Sequence, residues 1–191
     1  MHSRSYRESD RDDCLACFDS NSPTHIPTQQ RTAFEAFLDH HPDGYFVVLE
    51  GHELIGCGGI DVHDGIAELV WIVVHAEWQT QGAGSLLMTA CITDTLSRLE
   101  CNAVTLTCSQ HARAYFERWG LRAIDSEPNG IAPGIDRVQM RMELNDESRA
   151  AWHELVSAGL EPAEIEETIP AIESYKEWTA HRYDPGHYLG G

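Results

Sequence analysis

Apolar positions along the chain recur at two different spacings, and the switches between them mark out the elements. The stretch "SYRESD" (5–10) predicts a short opening strand. Asp10 or Asp12 then stands where a helix reaching Phe18 would be capped, and "DSNSP" ends it. From Thr28 to His40, Ala33, Phe34, Phe37 and Leu38 keep helical spacing until "HPDG" stops the run. "YFVVLE" and "LIGCGGIDV" predict two strands around a tight turn, and a second turn at Asp64–Gly65 leads into "AELVWIVVH". That last run is apolar on both faces, as a strand in the middle of a sheet must be. Ala83, Leu86, Leu87, Ala90 and Cys91 follow the i, i+3, i+4, i+7, i+8 rhythm of one buried helix face. "AVTLTCSQ" predicts a further strand. Ala112, Tyr115, Phe116 and Trp119 predict a short amphipathic helix closed by Gly120. "LRAIDSE" and "DRVQMRMEL" predict two antiparallel strands joined by a Pro/Gly-rich loop from Glu127 to Asp136. The order is that of an α+β fold with a largely antiparallel sheet.

The pattern changes at Asn145. Residues 1–144 read as one domain and 145–191 as an acidic, helical extension, with one helix through Ala151, Trp152, Leu155 and Val156 and further pieces either side of Pro170. Trp152 and Trp178 predict packing against something. The extension could fold over the core, pair with a second copy as a homodimer, or stand off as an acidic appendage.

Charge narrows the partners. The formal net charge is −18 with a single lysine, Lys176, which argues against nucleic acid, since phosphate contacts need Lys and Arg. A negative surface first of all serves solubility, and it is compatible with a cationic acceptor such as an amine. No run approaches the roughly 20 apolar residues of a membrane span. "MHSRSYRESDRDD" lacks the apolar core of a secretory signal, so a cytoplasmic protein is expected. Cys14, Cys17, Cys57, Cys91, Cys101 and Cys108 are scattered through apolar segments and read as small buried hydrophobes. Cys14-x-x-Cys17 lies in a helix-like stretch without a second pair at zinc spacing, and His40, His41, His52, His63 and His75 fall in loops or at strand ends. No metal is expected.

The informative stretch is "WQTQGAGSLL", Trp78 to Leu87, a glycine corner between the central strand and the long helix. Backbone N–H groups at such a corner face outward with the positive end of a helix dipole behind them, which suits phosphate. It lacks the Gly-Lys-Ser/Thr of a P-loop and the third glycine of a dinucleotide fingerprint. Gln79, Gly82 and Gly84 instead fill the pattern Q/R-x-x-G-x-G/A, and the later "HARAYFERWGL" is similar to A-x-x-F-Y-E-K-x-G-F. Together these resemble the GNAT superfamily of acyl-CoA-dependent N-acetyltransferases over roughly Arg4 to Leu144.

The resemblance implies acetyl-CoA as co-substrate, a small-molecule or peptide amine as acceptor, and direct attack in a ternary complex. A non-catalytic acyl-CoA-binding or regulatory module on the same fold is the alternative. Gln79, Thr80, Gln81, Gly82, Ala83, Gly84 and Ser85 would form the pyrophosphate cradle, chiefly through the amides of Gln81 to Ser85. The pantetheine arm would lie against Ile72, Val73 and Val74 where the central strand splays from its neighbour at a bulge. An amide near Ile72 would polarise the thioester carbonyl. Glu68, expected on the same alternating face as Ile72 and Val74, is the candidate base. Phe116 stands where the family often has a tyrosine, leaving Tyr115 and His111 as candidate acids, with water-mediated donation open. Ser109 replaces a frequent asparagine at the end of its strand and is expected to cap the following helix.

Overall fold

The computed structural model describes residues 1–40, 43–158 and 164–165. Seven strands form one sheet: β1 (His2–Ser5), β2 (Tyr45–Glu50), β3 (Glu53–His63), β4 (Ile66–Val74), β5 (Ala103–Cys108), β6 (Arg122–Ala132) and β7 (Ile135–Glu143). Five helices accompany them: α1 (Arg11–Asn21), α2 (Arg31–Asp39), α3 (Ala83–Ser97), α4 (Arg113–Arg118) and α5 (Asp146–Ser157). The spatial order is β1-β2-β3-β4-β5-β7-β6, so the strand apolar on both faces, β4, is the central one. Every pairing is antiparallel except β4 with β5. A parallel neighbour requires a crossover, and α3 supplies it.

The layers follow from side-chain alternation. On one face Leu15, Phe18, Phe34 and Leu38 of α1 and α2 pack on Val47, Cys57 and Val73 of the sheet. On the other, Met88, Ile92 and Leu96 of α3 and Phe116 of α4 pack on Ile60, Leu69, Leu106 and Met140. The buried face of α3 is turned slightly from the expected one. Leu86 and Ala90 are only half-buried and line a groove with Ser3 and Phe46, while Met88, Ile92 and Thr95 fill the interior.

α5 joins the α3/α4 side. Its Trp152 is fully buried and stacks on Trp119 at a ring separation of 6.0 Å and 5° between planes. Arg149 of α5 donates to the carbonyls of Leu96 (3.2 Å), Arg98 (3.3 Å) and Cys101. A cation there satisfies carbonyl groups that the end of α3 leaves open. Trp178, His41 and the pieces either side of Pro170 lie outside the described residues.

Three local expectations are corrected. β1 spans His2–Ser5, and the pairing reaches only Tyr6, whose N–H donates to Tyr45 O at 2.8 Å; beyond it the chain turns into α1. α1 runs on to Asn21, three residues past Phe18, because its last turn is held by tertiary hydrogen bonds. The stretch from Glu127 to Asp136 is mostly strand, since β6 continues to Ala132 and β7 starts at Ile135. Asn129, at φ +57°, absorbs the register slip, its N–H donating to Asp136 Oδ1 and its Oδ1 accepting from Gly134 N–H.

Candidate active site

β4 and β5 stay together for only three register positions, Ile66 with Ala103, Ala67 with Val104 and Glu68 with Thr105. Beyond Glu68 the two strands share no further pair in the ladder, and β4 continues to Val74 with its β5 side open. The opening has a local cause. Between Gly59↔Val70 and Cys57↔Val73, β4 has two residues opposite the single Gly58, which makes a β-bulge. Trp71 sits in it at φ +49°, a conformation rare for a bulky residue. Packing over-determines it: the indole lies 4.9 Å from the Phe34 ring and 6.4 Å from Phe18 and Phe37, and its carbonyl accepts from Tyr45 Oη at 3.1 Å.

The bulge also reassigns faces. Side chains alternate along a strand, and one inserted residue inverts the alternation. Ile72 packs with the α3 cluster, as Leu69 does, whereas Val73 and Trp71 pack with α1 and α2. Glu68 pairs with Asp61, one step from Leu69↔Ile60, and therefore lies on the α1/α2 face. The expectation that Glu68 shares a face with Ile72 and Val74 is thus corrected. Glu68 is exposed at the point of divergence, beside Asp61, whose Oδ2 is 2.9 Å from His63 Nε2.

Backbone polarity along the open edge follows from one bond. His75 N–H donates to Ile55 O on β3 at 2.9 Å. Alternation then turns Val73 toward β3 and the N–H and C=O of Ile72 and Val74 toward the opening. Val74 O is met there by Asn21 Nδ2 at 2.9 Å.

The glycine corner follows at once. Ala76–Trp78 makes a 3-10 turn, Thr80 adopts φ +64°, and Gly82 is the N-cap of α3 at φ +94° without a side-chain cap. A left-handed N-cap favours glycine, and the first-turn amides of α3 point out of the corner. Gly84 has a different reason to be glycine. A Cβ there would lie 2.9 Å from the Tyr115 hydroxyl. Tyr115, half-buried on α4, meets Phe116 edge-on at 5.1 Å, and the Arg118 guanidinium lies 5.5 Å above its ring. Gln81 Nε2 donates to Glu77 O and Thr80 Oγ1 to Gln79 O, which stiffens the loop. The segment from His75 to Ser97 has no Lys or Arg, so what it offers an anion itself is amides and the helix dipole.

The other candidates are spread around the end of β5. His111 is exposed in the turn leading to α4. Ser109 does not supply the expected cap: the N-cap of α4 is Ala112, with no side-chain capping bond, and Ser109 contributes its carbonyl to Ala112 N–H at 3.1 Å. Phe116 is buried in the core. Cys108 is buried against Met140, with Sγ 3.6 Å from Sδ, and burial pushes its thiol up to about 11. All six cysteines are free and buried. Among the described residues no cluster of His, Cys, Asp or Glu is placed to hold a metal ion, and no helix is long and apolar enough to cross a membrane.

One residue of the site escaped the sequence reading. Asn21, 4% exposed, joins α1 to the corner, with Gln79 Nε2 donating to its Oδ1 at 2.7 Å. Its partners are 53 and 58 positions away, and the only local signal was a polar residue at a helix end.

Residues 14–121, more than half of the chain, match the acetyltransferase (GNAT) family. The chain belongs to that family and is an acetyltransferase of the GNAT type. Its fold is similar to that of the ribosomal-protein-alanine N-acetyltransferase from Brucella melitensis (TM-score 0.62, 16% identity, 75% of this chain and 100% of that one). It is similar also to the ribosomal-protein-S18-alanine N-acetyltransferase from Escherichia coli (0.63, 18%, 75% and 93%). A third likeness is to an aminoglycoside 6'-N-acetyltransferase complexed with coenzyme A (0.62, 14%, 75% and 97%). No curated protein sequence matches significantly. The GNAT family uses an acyl-CoA and an amine acceptor.

Proposed function

We propose that the chain transfers an acetyl group from acetyl-CoA to a primary amine of a small-molecule or peptide acceptor, by direct attack in a ternary complex. The carrying observation is the divergence of β4 from β5 directly after Glu68↔Thr105, with an uncapped glycine corner at the far end of the open edge. A slot with backbone donors along one wall and helix amides at its end suits a long ligand ending in phosphates. In this reading the amides of Gln81 to Ser85 hold the pyrophosphate and Ile72 and Val74 pair with the pantetheine arm. The Ile72 N–H, aimed into the opening, polarises the thioester carbonyl.

Glu68 is the base of this proposal. It stands exposed where the strands part, on the α1/α2 face, while Ile72 and Val74 bring their side chains to the other. The amine thus enters from the α1/α2 face. It loses a proton to Glu68, directly or through water, and attacks the carbonyl; the C–S bond then breaks and CoA leaves as a thiolate that takes up a proton. Tyr115, whose hydroxyl lies at Gly84 in the corner, and His111, in the turn beyond β5, are the candidate acids for that proton, with donation through water as the alternative. The acidic composition of the chain supports a cationic acceptor, and a cytoplasmic location is part of the same reading.

The test is calorimetric titration of ligand-free protein with acetyl-CoA, followed by thiol release across a panel of primary amines. One-to-one binding and amine-dependent release are expected. Binding without release on any amine would overturn the transfer reading, and absence of binding would overturn the cradle.

A further inference from the structure

Asn21 closes α1 with bonds both within its own turn and to residues more than fifty positions away. Its Nδ2 donates to Cys17 O and to Val74 O, both at 2.9 Å, and approaches Ser20 Oγ at 3.1 Å; its Oδ1 accepts from Gln79 Nε2 at 2.7 Å. Beside it, Ser20 Oγ donates to Cys17 O at 2.7 Å and accepts from Ala76 N–H at 3.0 Å. The last turn of α1 therefore grips the end of β4 and the glycine corner together. A carboxamide suits this place because one group offers donors on one side and an acceptor on the other. The network is centred on the buried Asn21 carboxamide, with Gln79 at its exposed edge, and such a set of bonds favours one arrangement of the parts it joins.

That arrangement matters because of what it spans. Val74 belongs to the open edge proposed for the pantetheine arm, and Gln79 to the loop entering the cradle. The pantetheine arm of acyl-CoA has a limited reach, so a slot that binds it extended places the thioester correctly only if the open edge and the cradle are held in register. The linking segment contains a 3-10 turn and Thr80 in a left-handed conformation, and it needs bracing. Gln79 is exposed, yet its amide nitrogen is turned inward to Asn21.

We propose that Asn21 and Gln79 form one positioning unit for the acyl-CoA site, with Gln79 acting through Asn21 and not as a ligand of the pyrophosphate. The proposal rests on the acyl-CoA reading of the corner. It assigns to α1 a part in cofactor binding as well as in the acceptor face.

A double-mutant cycle on the full chain tests it, with acetyl-CoA as the calorimetric probe. Asn21→Ala and Gln79→Ala are each expected to raise Kd about ten-fold, and the double variant no further than either single one. Independent effects that multiply to about a hundred-fold would overturn the unit, as would a loss with Gln79→Ala that Asn21→Ala does not share. A lowered melting temperature for Asn21→Ala with unchanged Kd would make Asn21 merely structural and also overturn it. If Asn21→Ala fails to fold, Asn21→Ser, polar but too short to reach Gln79, takes its place in the cycle. A wild-type chain that does not bind acetyl-CoA would sink the cradle reading itself, and this proposal with it; wild-type binding with a multiplicative cycle sinks the proposal alone.

Discussion

The Tyr115 hydroxyl and the backbone of Gly84 are in such close approach that a single methyl group would not fit between them, the Cβ position lying 2.9 Å from the oxygen. Two opposing effects meet at this point. Alanine is a better helix former than glycine by about 1 kcal/mol, but overpacking costs about 1–3 kcal/mol when the neighbour cannot move. The Tyr115 ring is held by Phe116 and Arg118, so the clash should win. Gly84→Ala is expected to lower stability by about 1 kcal/mol in urea denaturation. In a Tyr115→Phe background the same change should become neutral or stabilising, because the oxygen is gone. Equal penalties in both backgrounds would show that Tyr115 is not what requires the glycine.

Glu68 offers a cleaner separation of stability from activity. The side chain is exposed on a strand, and exposed substitutions shift stability by no more than about 0.5 kcal/mol. As the proposed base it should matter far more to turnover, about 10²–10⁴-fold. Glu68→Gln is therefore expected to keep its melting temperature and its affinity for acetyl-CoA while kcat collapses. Undiminished kcat at saturating amine would remove Glu68 from the mechanism.

How much of this was legible in the sequence depends on the range of the forces involved. Order and type of the elements follow from local periodicity, and the glycine corner could be read because Gly82 takes a backbone conformation that other residues resist. A bulge in this strand was implied by the resemblance and is present, but the residue that forms it and its effect on the faces could not be read. Trp71 in a strand-like run carries no mark of φ +49°, since the aromatic rings and the Tyr45 hydroxyl that hold it come from β2, α1 and α2. Missing that one residue placed Glu68 on the wrong side of the sheet relative to Ile72 and Val74. Asn21 was missed for a similar reason: its value lies in partners more than fifty positions away.

At the other end of the sheet, Arg4 and Asp10 tie β1 to the start of α1. Arg4 donates through both terminal nitrogens to the Asp10 carboxylate, at 2.6 and 2.8 Å, and Arg7 N–H adds a third bond at 2.8 Å. The Arg4 hydrogen bonds hold the Asp10 carboxyl below its ordinary range, against the opposing effect of burial. A depressed folded pKa means that the contribution to stability is present above the unfolded value, about 4, and is lost as pH falls through the folded one. Asp10→Asn is expected to cost about 2 kcal/mol at pH 7, as for hydrogen bonds to a charged group. The gap from wild type should begin to narrow below about pH 4, where the unfolded carboxyl takes up its proton, and should close only as the folded carboxyl, held lower by Arg4, is protonated in turn. Urea denaturation of both proteins at pH 7 and pH 3 measures this, and a gap that does not depend on pH would rule out the ionised carboxylate as its source.

The stacked pair Trp119 and Trp152 bears on how the extension relates to the rest of the chain. Both indoles are fully buried, and Trp152 shares its cluster with Leu121 of the loop after α4 and Met142 of β7. Removing a buried tryptophan costs about 3–5 kcal/mol through lost transfer energy and the cavity left behind. Trp152→Ala should therefore lower the urea midpoint strongly. Deletion from Asn145 onward should lower it at least as far, because it also uncovers the carbonyls at the end of α3 that Arg149 satisfies. If α5 were instead an appendage resting on a finished domain, the deletion would leave the midpoint where it is. The expected order of stability is wild type, then Trp152→Ala, then the deletion. A deletion variant more stable than Trp152→Ala would mean that the cavity, and not the cover supplied by α5, is what the core cannot tolerate.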